Sequence, residues 1–229
     1  MISVVACTNR AEFIPNIMAN FQKQTLKEKE LILILNSSKL NVEIENVLQF
    51  PEEMSLGECL NRGVASAKYD VVAKMDDDDY YGPDYLTEAY VALLQTNADI
   101  VGKSSFYIYF KKSQEVHLYN PKRENCWILN HGHYKSSYFM SGATMAFKKD
   151  IFKKINFSHV NQGEDSVFQR SCFENGLKMY AISKEHYAYV RYAAQQHHHS
   201  DVSDGLLRRR SRFVANAPSI EDYFQMKRQ

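Results

Sequence analysis

The 229-residue chain predicts an α/β fold: a mostly parallel, Rossmann-like sheet with helices on both faces, followed by a smaller second portion. Three observations carry that expectation. Short apolar, β-branched runs alternate with amphipathic helical stretches through the first half. The order strand, helix, strand, strand, helix, strand suits parallel pairing with helical crossovers. Four consecutive aspartates, Asp76 to Asp79, directly follow the apolar run Val71 to Met75. They put charge where a buried strand ends, the place where open α/β sheets hold their ligands.

Each element has its own signal. Ile2 to Ala6 is a first strand, and Thr8-Asn9-Arg10 a polar loop after it. Residues 11–24 carry Phe13, Ile17, Met18 and Phe21 at helical spacing. Leu31 to Leu35 is a second strand closed by Asn36-Ser37-Ser38, and Val47 to Phe50 a short third. Ser55 with Glu58 three residues on forms a capping box for a helix with Leu56, Leu60 and Val64 on one face. Val71 to Met75 is the fourth strand, and Pro83 opens a helix to about residue 95. Ile100-Val101 and Phe106 to Phe110 read as strands, while residues 111–138 read as irregular and aromatic. Ser141 to Phe147 is a loop entering a strand. Glu164 to Asn175 is a helix, with Val167, Phe168 and Cys172 inward and Gly176 closing it. Tyr180 to Ile182 and Tyr187 to Val190 are further strands, and residues 206–229 an amphipathic, basic helical tail. The expected organisation is one domain over residues 1–205, with halves 1–100 and 101–205, plus the tail 206–229.

The hydrophobic content of 45% supports a full core, and the net charge of +1 gives no general case for nucleic acid or an anionic membrane. Positive charge is nevertheless concentrated at Arg208-Arg209-Arg210-Ser211-Arg212 and Lys227-Arg228. Cys7, Cys59, Cys126 and Cys172 make no CxxC pair and read as free thiols in a reducing, cytoplasmic setting. No leader is expected from the N-terminus, and no apolar stretch is long enough to span a bilayer, which leaves peripheral membrane contact open.

The aspartates admit two readings. Residues two apart in extended chain point the same way, so Asp76 and Asp78 could share one hard cation such as Mg²⁺ or Mn²⁺. Alternatively they form a solvated acidic turn, as the nearby Gly82-Pro83 suggests.

The order of motifs resembles the family 2 nucleotide-sugar glycosyltransferases of the GT-A fold. The resemblance covers residues 1 to about 192. It rests on Ser3 to Arg10, on Leu56 to Gly63 with Ala67, on Met75 to Asp79 as the metal-binding DxD, on Ser141-Gly142-Ala143 as the acceptor-side loop, and on Glu164-Asp165 as the acidic pair opening a helix. It implies metal-dependent, inverting transfer of a sugar from a nucleotide diphosphate sugar, a UDP-sugar foremost, to a hydroxyl of a glycan, glycolipid or polysaccharide precursor. Asp165 would be the general base. Asp78 and Asp76 would serve the metal, Mn²⁺ or Mg²⁺, with Asp76 also near the ribose. Thr8, Asn9, Arg10, Asn36, Asn61, Asp76, Asp77 and Arg191 would line the nucleotide, and Ser141, Gly142 and Glu164 the acceptor. His199, in the run His197-His198-His199, would complete the metal shell from a segment folding over the donor; a polar surface loop is the alternative. Asn36 stands where the family has an acidic residue against the base, which leaves base identity open.

Plainer roles exist for these residues. Glu164-Asp165 suits the first turn of any helix, and Thr8 or Asn9 could simply cap one. Arg62 and Lys74 could offset the aspartates or be solvated. A sugar nucleotidyltransferase would want a glycine-rich phosphate loop, and Ala6 to Arg10 has no glycine. A catalytically silent nucleotide- or glycan-binding module is the remaining alternative.

Overall fold

The computed structural model describes residues 1–42, 44, 46–129, 140–192 and 202–227. Its core is an eight-stranded sheet in the order β3-β2-β1-β4-β10-β6-β11-β9. The first half is parallel: β1 (Ile2–Thr8) lies between β2 (Lys29–Leu35) and β4 (Val71–Met75), and β3 (Val47–Gln49) flanks β2. Strands β1, β2 and β4 are almost wholly buried, which explains why they read as unbroken apolar runs.

Alternation along β1 separates the two faces. Val4 and Ala6 pack with Ile17 of α1 (Ile14–Gln22) and Leu86 of α3 (Tyr85–Thr96). Val5 packs instead with Leu60 and Val64 of α2 (Leu56–Ser66) and Phe168 and Cys172 of α4 (Glu164–Glu174). Ser55 and Glu58 form the expected capping box. Gly63 brings α2 close to the sheet: a Cβ there would stand 2.6 Å from Val5 Cγ1 and 2.7 Å from Ile34 Cδ1.

The second half departs from simple winding. After β5 (Tyr80–Tyr81) and β6 (Ile100–Gly102) come β7 (Phe106–Phe110), β8 (Glu115–Tyr119) and β9 (Cys126–Ile128). The region 111–138, expected to be irregular, therefore contains two strands in its described part. Their signal is weak because β8 carries Glu115 and His117, and β9 is only three residues long. β10 (Ala146–Lys148) runs antiparallel between β4 and β6, and β11 (Met179–Ala181) returns parallel to β6.

A five-stranded sheet, β13-β8-β7-β12-β5, packs beside the first. It takes in β12 (Tyr187–Arg191) and the chain end: α5 (Asp204–Arg210), β13 (Ser211–Asn216) and α6 (Ile220–Met226). The described part of the expected helical tail, 206–227, is thus helical only at α5 and α6, with the strand β13 between them. β13 pairs antiparallel with β8, and Ile220, Tyr223 and Phe224 of α6 join Tyr107, Tyr109 and Leu118 in a core. Val167 is also corrected: it is 48% exposed, while Phe168, Cys172 and Phe173 are the buried apolar residues of α4.

Candidate active site

The parallel strands bring their C-terminal ends to one cleft of about 720 Å³, within the usual range for small-molecule sites. Its wall includes Thr8, Asn9 and Arg10 after β1, Asn36 after β2, Asp76 to Asp78 after β4, and Glu164-Asp165 at the start of α4. Pairing of Ala6 with Met75 sets the register that carries Thr8 to Asp77. Thr8 Oγ1 donates to Asp77 Oδ2 at 2.5 Å. Arg10 Nε donates to the same oxygen at 3.1 Å, and its Nη2 reaches both Asp77 Oδ1 and Asp78 Oδ2, the latter at 3.1 Å.

The four aspartates have four different environments. Asp76 is the most open, its side chain 38% exposed, and Lys74 Nζ lies 2.5 Å from its Oδ1. Asp77 is held by Thr8 and Arg10. Asp78 is nearly buried; burial and then the neighbouring Asp77 push its carboxyl up to about 7, against the pull of Arg10. Asp79 is not solvated. Its carboxylate accepts from Tyr187 Oη at 2.6 Å and Val190 N at 3.1 Å, and its carbonyl accepts from Asn16 and Asn20.

Lys74 ties the two acidic groups together. It lies two residues before Asp76 in β4, and its Nζ is also 3.9 Å from Glu164 Oε1. Burial opposes its charge, but Asp76, Glu164 and Asp165 outweigh burial and hold the ammonium well above its ordinary range. Burial pushes Glu164 up to about 7, against Lys74. Tyr81 ties the acidic strand end to the 141–143 loop: its hydroxyl accepts from Asp76 N at 2.7 Å and donates to Ala143 O at 2.8 Å. Sequence reasoning left Lys74 between two readings and passed over Tyr81. Period-two spacing from Asp76 signals the lysine, whereas nothing local signals the tyrosine.

Asp165 begins α4 behind Gly163, whose φ of +76° suits glycine. Its Oδ1 accepts from Ser166 N at 2.7 Å. Gly142 lies directly against it: a Cβ there would come within 1.9 Å of Asp165 Oδ2. The structure therefore brings the Ser141-Gly142-Ala143 loop to the acidic pair.

Other expected residues are placed differently. Asn61 does not line the cleft, since its amide pairs in both directions with the backbone of Phe157. Arg191 is not part of the cleft wall: its guanidinium donates to Asp204, Tyr189 and the Val202 carbonyl. Ser141 sits behind the wall, its hydroxyl 3.4 Å from Tyr187 Oη. Asn36 is at the cleft, but its amide nitrogen donates to the carbonyls of Pro51 and Met54. Arg62 is exposed and away from the wall. His199 and its two neighbours lie outside the described residues. Cys7, Tyr189 and Val202 also line the cleft and carry no prior signal.

The sheet with carboxylates at its strand ends, joined by an antiparallel β10 to a second portion, is the GT-A architecture. The S. aureus TarS fragment 1–349, solved with UDP-GlcNAc, superimposes with a TM-score of 0.67 at 18% identity, over 88% of this chain and 62% of that one. Glucosyl-3-phosphoglycerate synthase from Mycobacterium tuberculosis, solved with Mn²⁺, UDP-glucose and phosphoglyceric acid, gives 0.58 at 16% identity, over 86% and 74%. Residues 3–156 match Glycosyl transferase family 2, and the chain belongs to that family. It is 30% identical over 114 residues to the O-antigen biosynthesis glycosyltransferase WbnJ of Escherichia coli, covering 44% of this chain and 45% of WbnJ. It is 23% identical over 210 residues to glycosyltransferase GlyG of Streptococcus pneumoniae, covering 82% and 69%. The chain thus spans less than half of WbnJ and about three fifths of the TarS fragment.

Proposed function

We propose that this chain transfers a sugar from a nucleotide diphosphate sugar, a UDP-sugar, to a hydroxyl of a glycan, glycolipid or polysaccharide precursor, with a divalent cation and with inversion. The observation that carries this reading is the meeting of Asp76, Asp78 and Asp165 in one cleft. Membership of the family supports the reaction class, and the UDP-GlcNAc held by the TarS fragment supports the donor class.

The donor set fits a hard cation. Asp76 and Asp78 offer carboxylate oxygens, the ligand type Mg²⁺ and Mn²⁺ take. Burial and then the neighbouring Asp77 raise Asp78 to about 7, and a cation would favour its charged form. Among the described residues no three His, Cys, Asp or Glu side chains form a ready cage. Asp78 and Asp76 would therefore hold the ion with help from the diphosphate and water. When bound, a metal supplies charge neutralisation for the departing diphosphate.

The chain's own groups do the rest. Thr8 and Arg10 fix Asp77 and Asp78, so the acidic strand end is pre-organised. Arg10 and Lys74 line the cleft and would offer positive charge to a diphosphate. Asp165 takes the proton of the acceptor hydroxyl as that oxygen attacks the anomeric carbon and the bond to the diphosphate breaks. A single displacement of this kind inverts the centre.

Incubation with UDP-sugars and Mn²⁺, with and without chelator, tests the reading. Release of UDP that stops with chelator is expected. Formation of UTP and sugar 1-phosphate when pyrophosphate is added would mean nucleotidyl transfer instead, and absence of turnover across a donor and acceptor panel, with ligand-induced thermal stabilisation retained, would mean a binding module.

A further inference from the structure

We propose that the C-terminal face formed by α5, β13 and the β7–β8 turn is a docking surface for an anionic lipid bilayer. Residues 208–212 contribute four arginines and no acid, against a net charge of +1 for the whole chain. Arg208 is used internally: it stacks over Phe110 at 3.9 Å and binds Glu115 and Ser113. That contact brings the end of α5 to the β7–β8 turn, where Lys111 and Lys112 are exposed.

Arg209, Arg210 and Arg212 are exposed, and among the described residues none of their side chains has an ion pair or hydrogen bond. Beside them Phe213 is 51% and Val214 38% exposed. β13 is the edge of its sheet, with a register shift between Phe213 and Ala215, so this strand turns an irregular edge to solvent. Arginines flanking an edge disfavour pairing with a second copy, because like charges would face one another. Exposed basic residues with an adjacent apolar pair fit a surface that is negative outside and apolar just beneath.

The patch is also placed for the cleft. Val202 and Tyr189 line the cleft, and Arg191 joins both to Asp204 at the first turn of α5. The helix α5 then runs six residues on from Asp204 to Arg210, roughly 9 Å at the α-helical rise. A bilayer against this face would lie beside the cleft mouth.

The test is co-sedimentation of the full chain with vesicles of phosphatidylcholine alone and of phosphatidylcholine mixed with phosphatidylglycerol. Binding is expected only to the anionic vesicles and is released as the Debye length falls from about 10 Å at 0.1 M salt to about 3 Å at 1 M. Joint Arg209→Gln, Arg210→Gln and Arg212→Gln should lower vesicle affinity at least about tenfold with an unchanged melting temperature. Phe213→Ser, which removes no charge, should weaken binding a few-fold and keep the salt response. Equal sedimentation with both vesicle types, or undiminished binding by both variants, would overturn the proposal. So would retention on a soluble polyanion without vesicle binding, which would assign the patch to a charged polymer. No glycosyl transfer enters the assay, so its failure leaves the reading of the cleft untouched.

Discussion

Two acidic groups face the same cleft and are built by opposite means. The aspartates after β4 are dispersed among partners: Asp76 to Lys74, Asp77 to Thr8 and Arg10, Asp78 to Arg10, Asp79 to Tyr187 and Val190. The pair at α4 is lightly held. Glu164 turns inward toward Lys74, and among the described residues Asp165's carboxylate has its hydrogen bond from its own neighbour, Ser166 N. Four adjacent carboxyls repel one another when charged, so partners are distributed along them and burial holds Asp78 and Asp79 toward the neutral form. Under the proposed reading Asp165 takes up a proton, which needs the reverse, a position fixed by packing and few donors to its oxygens. Gly142 against Asp165 supplies that packing.

The contrast is sharpest in catalysis. Asp165→Asn should leave donor binding intact and lower transfer on the order of a hundredfold or more, as loss of a general base does. Matched isotherms with near-normal transfer would make Asp165 a helix-start residue only. Asp78→Ala should act on the other group, lowering Mn²⁺-dependent UDP affinity at least about tenfold, since even outer partners of a metal ligand cost that much. The same variant should keep or raise the melting temperature without ligand, because it removes a crowded carboxyl while Arg10 keeps Asp77. A markedly lowered melting temperature would assign Asp78 to structure instead.

Gly142→Ala tests whether packing positions Asp165. The added Cβ would displace the carboxylate, so transfer should fall roughly tenfold to a hundredfold while UDP binding holds. Unchanged transfer would separate the loop from the acidic pair.

Glu164→Gln gives the smallest effect, read through pH. Burial raises Glu164 to about 7 from an ordinary value near 4.5. Between those values the folded chain holds more protons at this site than the unfolded chain, so stability from this group falls as pH rises through the window. The variant lacks that slope. It should gain on the wild type by a few degrees in melting temperature between about pH 5 and pH 8. A difference that does not change with pH would place Glu164 outside this account.

Local sequence determined much of this protein. Strands β1, β2 and β4, the capping box at Ser55 and Glu58, and the acidic strand end were legible because each rests on a pattern a few residues long. The same holds for the start of α4, where Gly163, Glu164 and Asp165 stand together. Contacts between distant segments were decided by the tertiary structure. Asn61 looks like a ligand residue until Phe157 takes both ends of its amide. Arg191 looks like a phosphate clamp until Asp204 arrives from the next helix. β13 reads as part of a helical tail because the partner that makes it a strand, β8, lies about a hundred residues earlier. Sequence specifies periodicity and charge, which are local. Which donor meets which acceptor depends on how the sheets close, and that is where Lys74 came to join Asp76 with Glu164 and Gly142 came to rest on Asp165.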